Sequence, residues 1–250
     1  MSQQVQLRTR NAITGDAQSS FDAATFETIA RFSAAGLDED FVGAGYSSIP
    51  TSATAGFPWI KKTVQTGGTP TVAKVANVGG GIVACALDAT SEKQEASLYA
   101  ADVLDWDMTK YANYETRAAA SVLPTSTVEQ ILGLHSAWID GPDNASFYVR
   151  FNNTAAGVQM QTKDGVQTLT ASSGVVLTAG VFHIFRIDVS DPTNVRFFID
   201  GVEVSTPKQF SFAATGANAL LQPYASCYKA SGVGVGSLHL DTVQVSMNRA

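Results

Sequence analysis

Charge is scarce in this chain: Asp, Glu, Lys and Arg together make up 15% of it. Most of the surface must therefore be Ser, Thr, Asn, Gln, Ala and Gly, while a hydrophobic share of 45% suits a globular core and excludes a disordered or fibrous chain. Basic residues are few and scattered, and the formal net charge is -6. That excludes nucleic acid as a partner, since affinity for a phosphate backbone needs clustered Lys and Arg. Long apolar runs are missing too, and nothing approaches the ~18–20 residues that cross a bilayer. The N-terminal stretch has no basic start followed by an apolar segment. The expectation is a chain made in a cytoplasm without a signal peptide and with no membrane partner.

Cysteine and histidine are equally sparse. Cys85 and Cys227 stand in "GIVACALDA" and "YASCYKAS" without any CxxC spacing, which reads as two buried free thiols, a disulfide being the alternative. His135, His183 and His239 each sit inside a strand pattern. No His or Cys pair has zinc-ligand spacing, and no Gly-x-Ser-x-Gly elbow accompanies them. "GGG" at 79–81 and "GVGVG" at 232–236 do not open a helix after a strand, so they read as turns rather than phosphate cradles.

What the sequence does have is short β-branched and aromatic runs punctuated by Gly, Asn, Asp and Pro from about residue 38 to the end. "SFYVRFNN" puts Phe147, Val149 and Phe151 on one face and Tyr148 and Arg150 on the other, as a half-buried strand requires. "HIFRIDVSDPTNVRFFIDGVEV", residues 183–204, reads as three strands joined by tight turns. Its Asp200-Gly201 pair suits a type I′ turn, whose two central residues need positive φ. In the last strand the alternation slips near Val243, which a bulge would explain. A dozen or so such strands predict an all-β fold, a large antiparallel sandwich or barrel, over residues 38–250.

Residues 1–37 differ in character. Phe21, Phe26, Ile29 and Phe32 fall at roughly helical intervals before Gly36, so this part reads as an N-terminal arm holding a short helix. The four apolar side chains are candidate interface anchors; packing on their own sandwich is the alternative.

"FRID", "VRFFIDGVEV" and "LHLDTVQVS" resemble the corresponding strands of concanavalin A-like, or laminin G-like, jelly-roll sandwiches. Together with "DEDFVGAGYSSIPTSATAGFPWIKK" and "EKQEASLYAAD", the text is most similar to decoration, or cement, proteins of tailed bacteriophages. The resemblance implies a virion protein on the outer capsid surface that stabilises the head. Its partners would be the major capsid protein and further copies of itself, as dimer or trimer. The alternative is a carbohydrate-binding module of a phage tail or cell surface, with glycans as partners.

Hydrolases of this fold carry Glu-x-Asp-x-x-Glu or Glu-x-Asp-x-Glu on one strand, so that the acid and the nucleophile or base share a face. That pattern is absent. The nearest acids, Glu92 and Glu95, are three apart and fall on opposite faces, so the sequence predicts no enzyme. For calcium, which lectin-type sandwiches often bind, Asp102, Asp105 and Asp107 in "DVLDWD" and Asp140 and Asp143 in "DGPDN" are weak candidates; backbone-bonding turns are the competing reading. Trp59, Trp106 and Trp138 are the candidate glycan platforms, Trp106 foremost because two aspartates flank it. Core or interface anchoring is the commoner use of such rings.

Overall fold

The computed structural model describes residues 18–22, 27–31, 34–42, 46, 48–55 and 57–248, with side chains from residue 36 onward. The early strands are β1 (Gln18–Asp22), β2 (Glu27–Arg31), β3 (Ala34–Glu39), β4 (Ile60–Val64), β5 (Thr71–Lys74) and β6 (Val83–Leu87). The middle strands are β7 (Gln94–Tyr99), β8 (Trp106–Asp107), β9 (Ala112–Val122), β10 (Val128–His135), β11 (Phe147–Thr154) and β12 (Gly157–Asp164). The chain closes with β13 (Thr168–Ser172), β14 (Phe182–Val189), β15 (Arg196–Ile199), β16 (Val202–Glu203), β17 (Leu220–Lys229) and β18 (Gly236–Asn248).

Two antiparallel sheets face each other. The first runs β13-β12-β11-β10-β17-β7-β4, with β8 paired to β17; the second runs β16-β15-β14-β9-β18-β6-β5, with β3 paired to β18. Alternation sends Val149 and Phe151 from the first sheet and Phe185, Phe197 and Leu240 from the second into one shared core. Phe151, Phe185, Phe197 and Phe210 meet there edge-to-face, with ring centroids 5.0–5.2 Å apart. Each contributes on the order of 2–3 kcal/mol of apolar burial. Among the described residues no helix is long and apolar enough to cross a membrane.

The stretch 183–204 folds as its sequence requires. Asp200 and Gly201 take φ of 52° and 79°, and Ile199 pairs with Val202 across the turn. In β18 the register against β9 shifts between Leu240 and Thr242, and that bulge returns Val243 and Val245 to the core. Cys85 and Cys227 are buried free thiols. The Cys227 thiol donates to the Cys85 carbonyl at 3.0 Å, and burial pushes the Cys85 thiol up to about 12.

The short helix expected in the arm is corrected. The described backbone of that segment forms β1 and β2, which pair with each other from Gln18↔Arg31 to Asp22↔Glu27. The spacing of the apolar residues was irregular, and "SSFD" and "ETIAR" are short runs that serve a strand as well as a helix turn. Phe26 and Phe32 lie outside the described residues, as do the side chains of Phe21 and Ile29. Strand β3 crosses residue 37, where the arm was expected to end, and is bonded along β18 from Glu39↔Val243 to Ala34↔Asn248.

Candidate functional site

The outer face of the first sheet carries an array that period-two alternation builds from separate strands. One cross-sheet row is Ile60, Tyr99, Tyr224, Gly133, Arg150, Gln161 and Thr170. A neighbouring row is Gln222, His135, Tyr148 and Lys163. In a third, Tyr228 lies between Glu95 and Glu129. An outer sheet face would ordinarily meet water, yet Glu95 and Arg150 are 0% exposed, and His135, Tyr148 and Tyr224 are buried as well.

The cover is the loop 136–146, which crosses this face as a strap. Glu95 anchors it: one carboxylate oxygen accepts the indole N–H of Trp138 at 2.9 Å and the hydroxyl of Tyr224 at 2.9 Å. Ser97 donates to the same oxygen, and the other accepts the Gly141 N–H at 3.1 Å. Buried and met by four donors, Glu95 is held by hydrogen bonds. Arg150 anchors the other half. Its Nε donates to Gln161 at 2.6 Å and its Nη1 to the Pro142 carbonyl at 3.1 Å. Nη2 pairs with Asp143, and the guanidinium lies 3.9 Å over the Tyr148 ring.

Two glycines make this geometry fit. At Gly141, with φ of 82°, a Cβ would stand 2.9 Å from Asn144 Nδ2 and 3.3 Å from the Tyr228 hydroxyl. At Gly133 it would stand 2.4 Å from the Val149 carbonyl and 2.9 Å from Arg150 Cβ. Beside Gly133 the rings close up, His135 stacking 4.2 Å from Tyr224 and 5.3 Å from Tyr148. Burial and then Arg150 hold His135 well below the usual imidazole range, so it stays neutral. Glu129 is half-buried at the edge of the array and accepts from Asn152 at 3.1 Å. Burial and then Asp143 raise its carboxyl above the usual value, and Arg150 opposes them.

Between the strap and the 3₁₀ turn Gly216–Ala219 lies a cavity of about 350 Å³. Trp138, Phe147, Leu104 and Leu220 give it apolar walls, and Ser136, Asn144, Ser146 and Asn218 give it hydroxyls and amides. No ionisable side chain of the described residues lines it. It is an open depression rather than an enclosed pocket, lined by apolar side chains together with uncharged hydroxyls and amides.

The sequence candidates are dispersed around this arrangement. Asp102 accepts the Trp138 N–H at 2.6 Å and Gln222 Nε2 at 2.8 Å. Asp107 caps its own turn through Thr109, Asp105 is exposed, and Asp140 and Asp143 pair with Lys93 and Arg150. Among the described residues no three His, Cys, Asp or Glu side chains form a group able to hold a metal ion. Trp106 packs half-buried against the main core, Trp59 is in that core, and Trp138 is the indole that reaches the cavity. Glu92 and Glu95 fall apart as expected: Glu92 receives the N–H groups of Thr66, Gly67 and Gly68 at 2.8–2.9 Å. The strap and its anchors were missed because they join residues distant in sequence. The Asp-Gly-Pro-Asp-Asn run was the only local signal for them.

No protein-family profile and no curated protein matches the chain. Solved structures do. A protein of unknown function from Shewanella oneidensis MR-1 superposes with a TM-score of 0.57 at 12% identity, covering 86% of this chain and 87% of that one. The endo-1,3-beta-glucanase from Streptomyces sioyaensis gives 0.56 at 13% identity, covering 87% and 98%. The laminarinase from Rhodothermus marinus gives 0.54 at 15% identity, covering 86% and 97%. The chain therefore has the concanavalin A-like jelly-roll fold.

These similarities correct the expectation that the chain is not an enzyme, because glucan-cleaving enzymes share its fold over nearly their whole length. That expectation rested on a motif within one strand.

Proposed function

We propose that the chain is a carbohydrate-binding β-sandwich whose sugar site is the cavity between the strap and the 216–219 turn. The observation that carries this reading is the lining: apolar walls beside uncharged hydroxyl and amide groups, in a volume of about 350 Å³. Sugars present the same mixture of C–H faces and hydroxyls. The fold shared with an endo-1,3-beta-glucanase and a laminarinase supports glycans as the ligand class. The test is a glycan array read with and without a calcium chelator, alongside incubation with soluble β-1,3-glucan and measurement of new reducing ends. Saturable binding or cleavage that a cavity-filling Ala217→Phe variant abolishes is the expected result. Binding unchanged in that variant overturns the cavity assignment.

A second reading rests on a different observation. Among the described residues strands β1 and β2 pair with each other and with no strand of the sandwich, and an isolated hairpin is marginal in water without a surface to pack on. An arm of this kind suits a capsid decoration protein, the class that the sequence resembles. Arm and rim would clamp neighbouring copies of the major capsid protein, and further copies of this chain, on the outer surface of a phage head. Quantitative mass spectrometry of purified virions decides it. Hundreds of copies per particle are expected, a handful points instead to a tail site, and none refutes the virion reading.

A further inference from the structure

We infer that the strap is a pH-operated cover: a proton on His135, at its root, breaks the hold of Arg150 and lifts residues 136–146 off the outer face of the first sheet. This device is independent of the carbohydrate reading and rests on the geometry where the strap begins. His135 ends β10, so the strap starts at the next residue. It is 2% exposed, and its ring lies between those of Tyr224 and Tyr148, tilted 15° and 23° from them. Its Nε2 stands 3.4 Å from Arg150 Nη1. A guanidinium has protons to donate and no lone pair to accept with, so Nε2 must be the acceptor. Only a neutral imidazole offers that lone pair. Arg150 in turn holds the second half of the strap through the Pro142 carbonyl and Asp143.

A proton on Nε2 would remove that acceptor and set two cations against each other where water is excluded and screening is weak. The surrounding groups do not neutralise it. Arg150 and Tyr148 face the ring from β11, Lys163 from β12 behind Tyr148, and Tyr224 and Gln222 from β17. The nearby carboxylates are engaged with other donors. Glu95 takes Tyr224 and the strap, Asp102 takes Gln222 and the Trp138 N–H, and Asp143 is paired with Arg150. A charged His135 therefore gains most from water, which enters only when the strap lifts. Closed, the ring stays neutral to well below the usual imidazole range; open and wetted, it titrates near about 6.5. The open form alone takes up a proton as pH falls, so its population rises about tenfold between about pH 7.5 and about pH 5.5. Glu129 works in the opposite sense. Burial and then Asp143 of the strap raise its carboxyl in the closed form, so through this group acid favours closure. Opening would uncover Glu95, Tyr224, Tyr148 and Arg150, a face of rings and hydrogen-bonding groups now taken up by the strap.

The experiment is amide hydrogen exchange on the full chain, expressed as protection factors so that the intrinsic effect of pH on exchange is removed. Peptides covering 136–146 should lose protection about tenfold between about pH 7.5 and about pH 5.5, while β9 and β14 of the second sheet keep theirs. His135→Gln retains an acceptor for Arg150 and has no titrating ring, so its strap protection should stay flat over that range. Glu129→Gln should keep the loss or steepen it. Equal loss in the strap and in the second sheet overturns the inference, because the whole fold is then loosening. So does strap protection that does not change with pH, a loss that persists in His135→Gln, or one that vanishes in Glu129→Gln. Should His135→Gln fail to fold, ring ¹⁵N shifts of His135 in the unmutated chain decide. An imidazolium that appears together with the loss of strap protection supports the device, and an imidazolium beneath a strap that is still protected overturns it.

Discussion

Among the described residues Lys229 has no carboxylate partner, yet its side chain is fully buried. Its Nζ donates to three backbone carbonyls, Asp88 at 2.7 Å, Thr90 at 2.8 Å and Gly234 at 3.0 Å. One ammonium thus ties the turn after β6 to the turn before β18, using all three of its protons. Replacing it with Met fills the space and leaves three acceptors without a donor. Lys229→Met should therefore lose about 3 kcal/mol or more of unfolding free energy, read as a lowered urea midpoint; an unchanged midpoint contradicts the pin. Glu92 acts in the reverse sense, as an acceptor among donors. Gln94 and then the Gly67 N–H push its carboxyl from 4.5 down to about 2, and Asp88 beside it is lowered chiefly by the Thr69 N–H. A depressed value of this kind stabilises the fold above the ordinary carboxylate pKa, and the gain is lost as pH falls through the folded one. Wild-type stability should decline between pH 4.5 and about 2, and Glu92→Gln should flatten that decline in acid-denaturation curves.

At the scale of elements, the strap is what turns the outer face of a sheet into a second small core. Ile60, Tyr99, Ile131 and Tyr224 cluster there, with Trp138 packed on them. The Trp138 ring stacks on Tyr99 at 6.4 Å and has the Lys62 ammonium 5.0 Å from its centroid. Trp138→Ala removes that cover and one of the donors to buried Glu95, so it should cost about 2–3 kcal/mol and open the strap to proteolysis near residues 139–141. Resistance equal to wild type would show that the strap holds without its indole. The strands themselves were legible: the β14–β16 hairpin follows from alternation and from Asp200-Gly201. Tyr148 and Arg150 were correctly assigned to the face opposite Phe147 and Phe151. Their burial was not legible, because it depends on Glu95 and Asp102, which reach the strap from other strands and turns. The arm failed for a related reason, since a short apolar spacing does not decide between helix and strand without a partner.

At the scale of the molecule, a jelly-roll frame keeps its core between two sheets and leaves recognition to its loops, and fold alone does not choose among functions. In this chain the strap closes most of one outer face and leaves a cavity at its margin, bounded on the far side by the turn before β17. The sequence pointed to Trp106 as the foremost glycan platform, whereas Trp138 reaches the cavity, because exposure of an indole depends on a loop path that local sequence does not encode. The central claim, that this cavity holds a sugar, is tested most directly by a ¹H–¹⁵N correlation titration with laminaribiose, the disaccharide unit of the β-1,3-glucan used to test the proposed function. The account predicts saturable shifts confined to the backbone of 136–147 and 216–220 and to the Asn144 and Asn218 side-chain amides. Shifts centred on the second sheet, or none at saturating disaccharide, would contradict it.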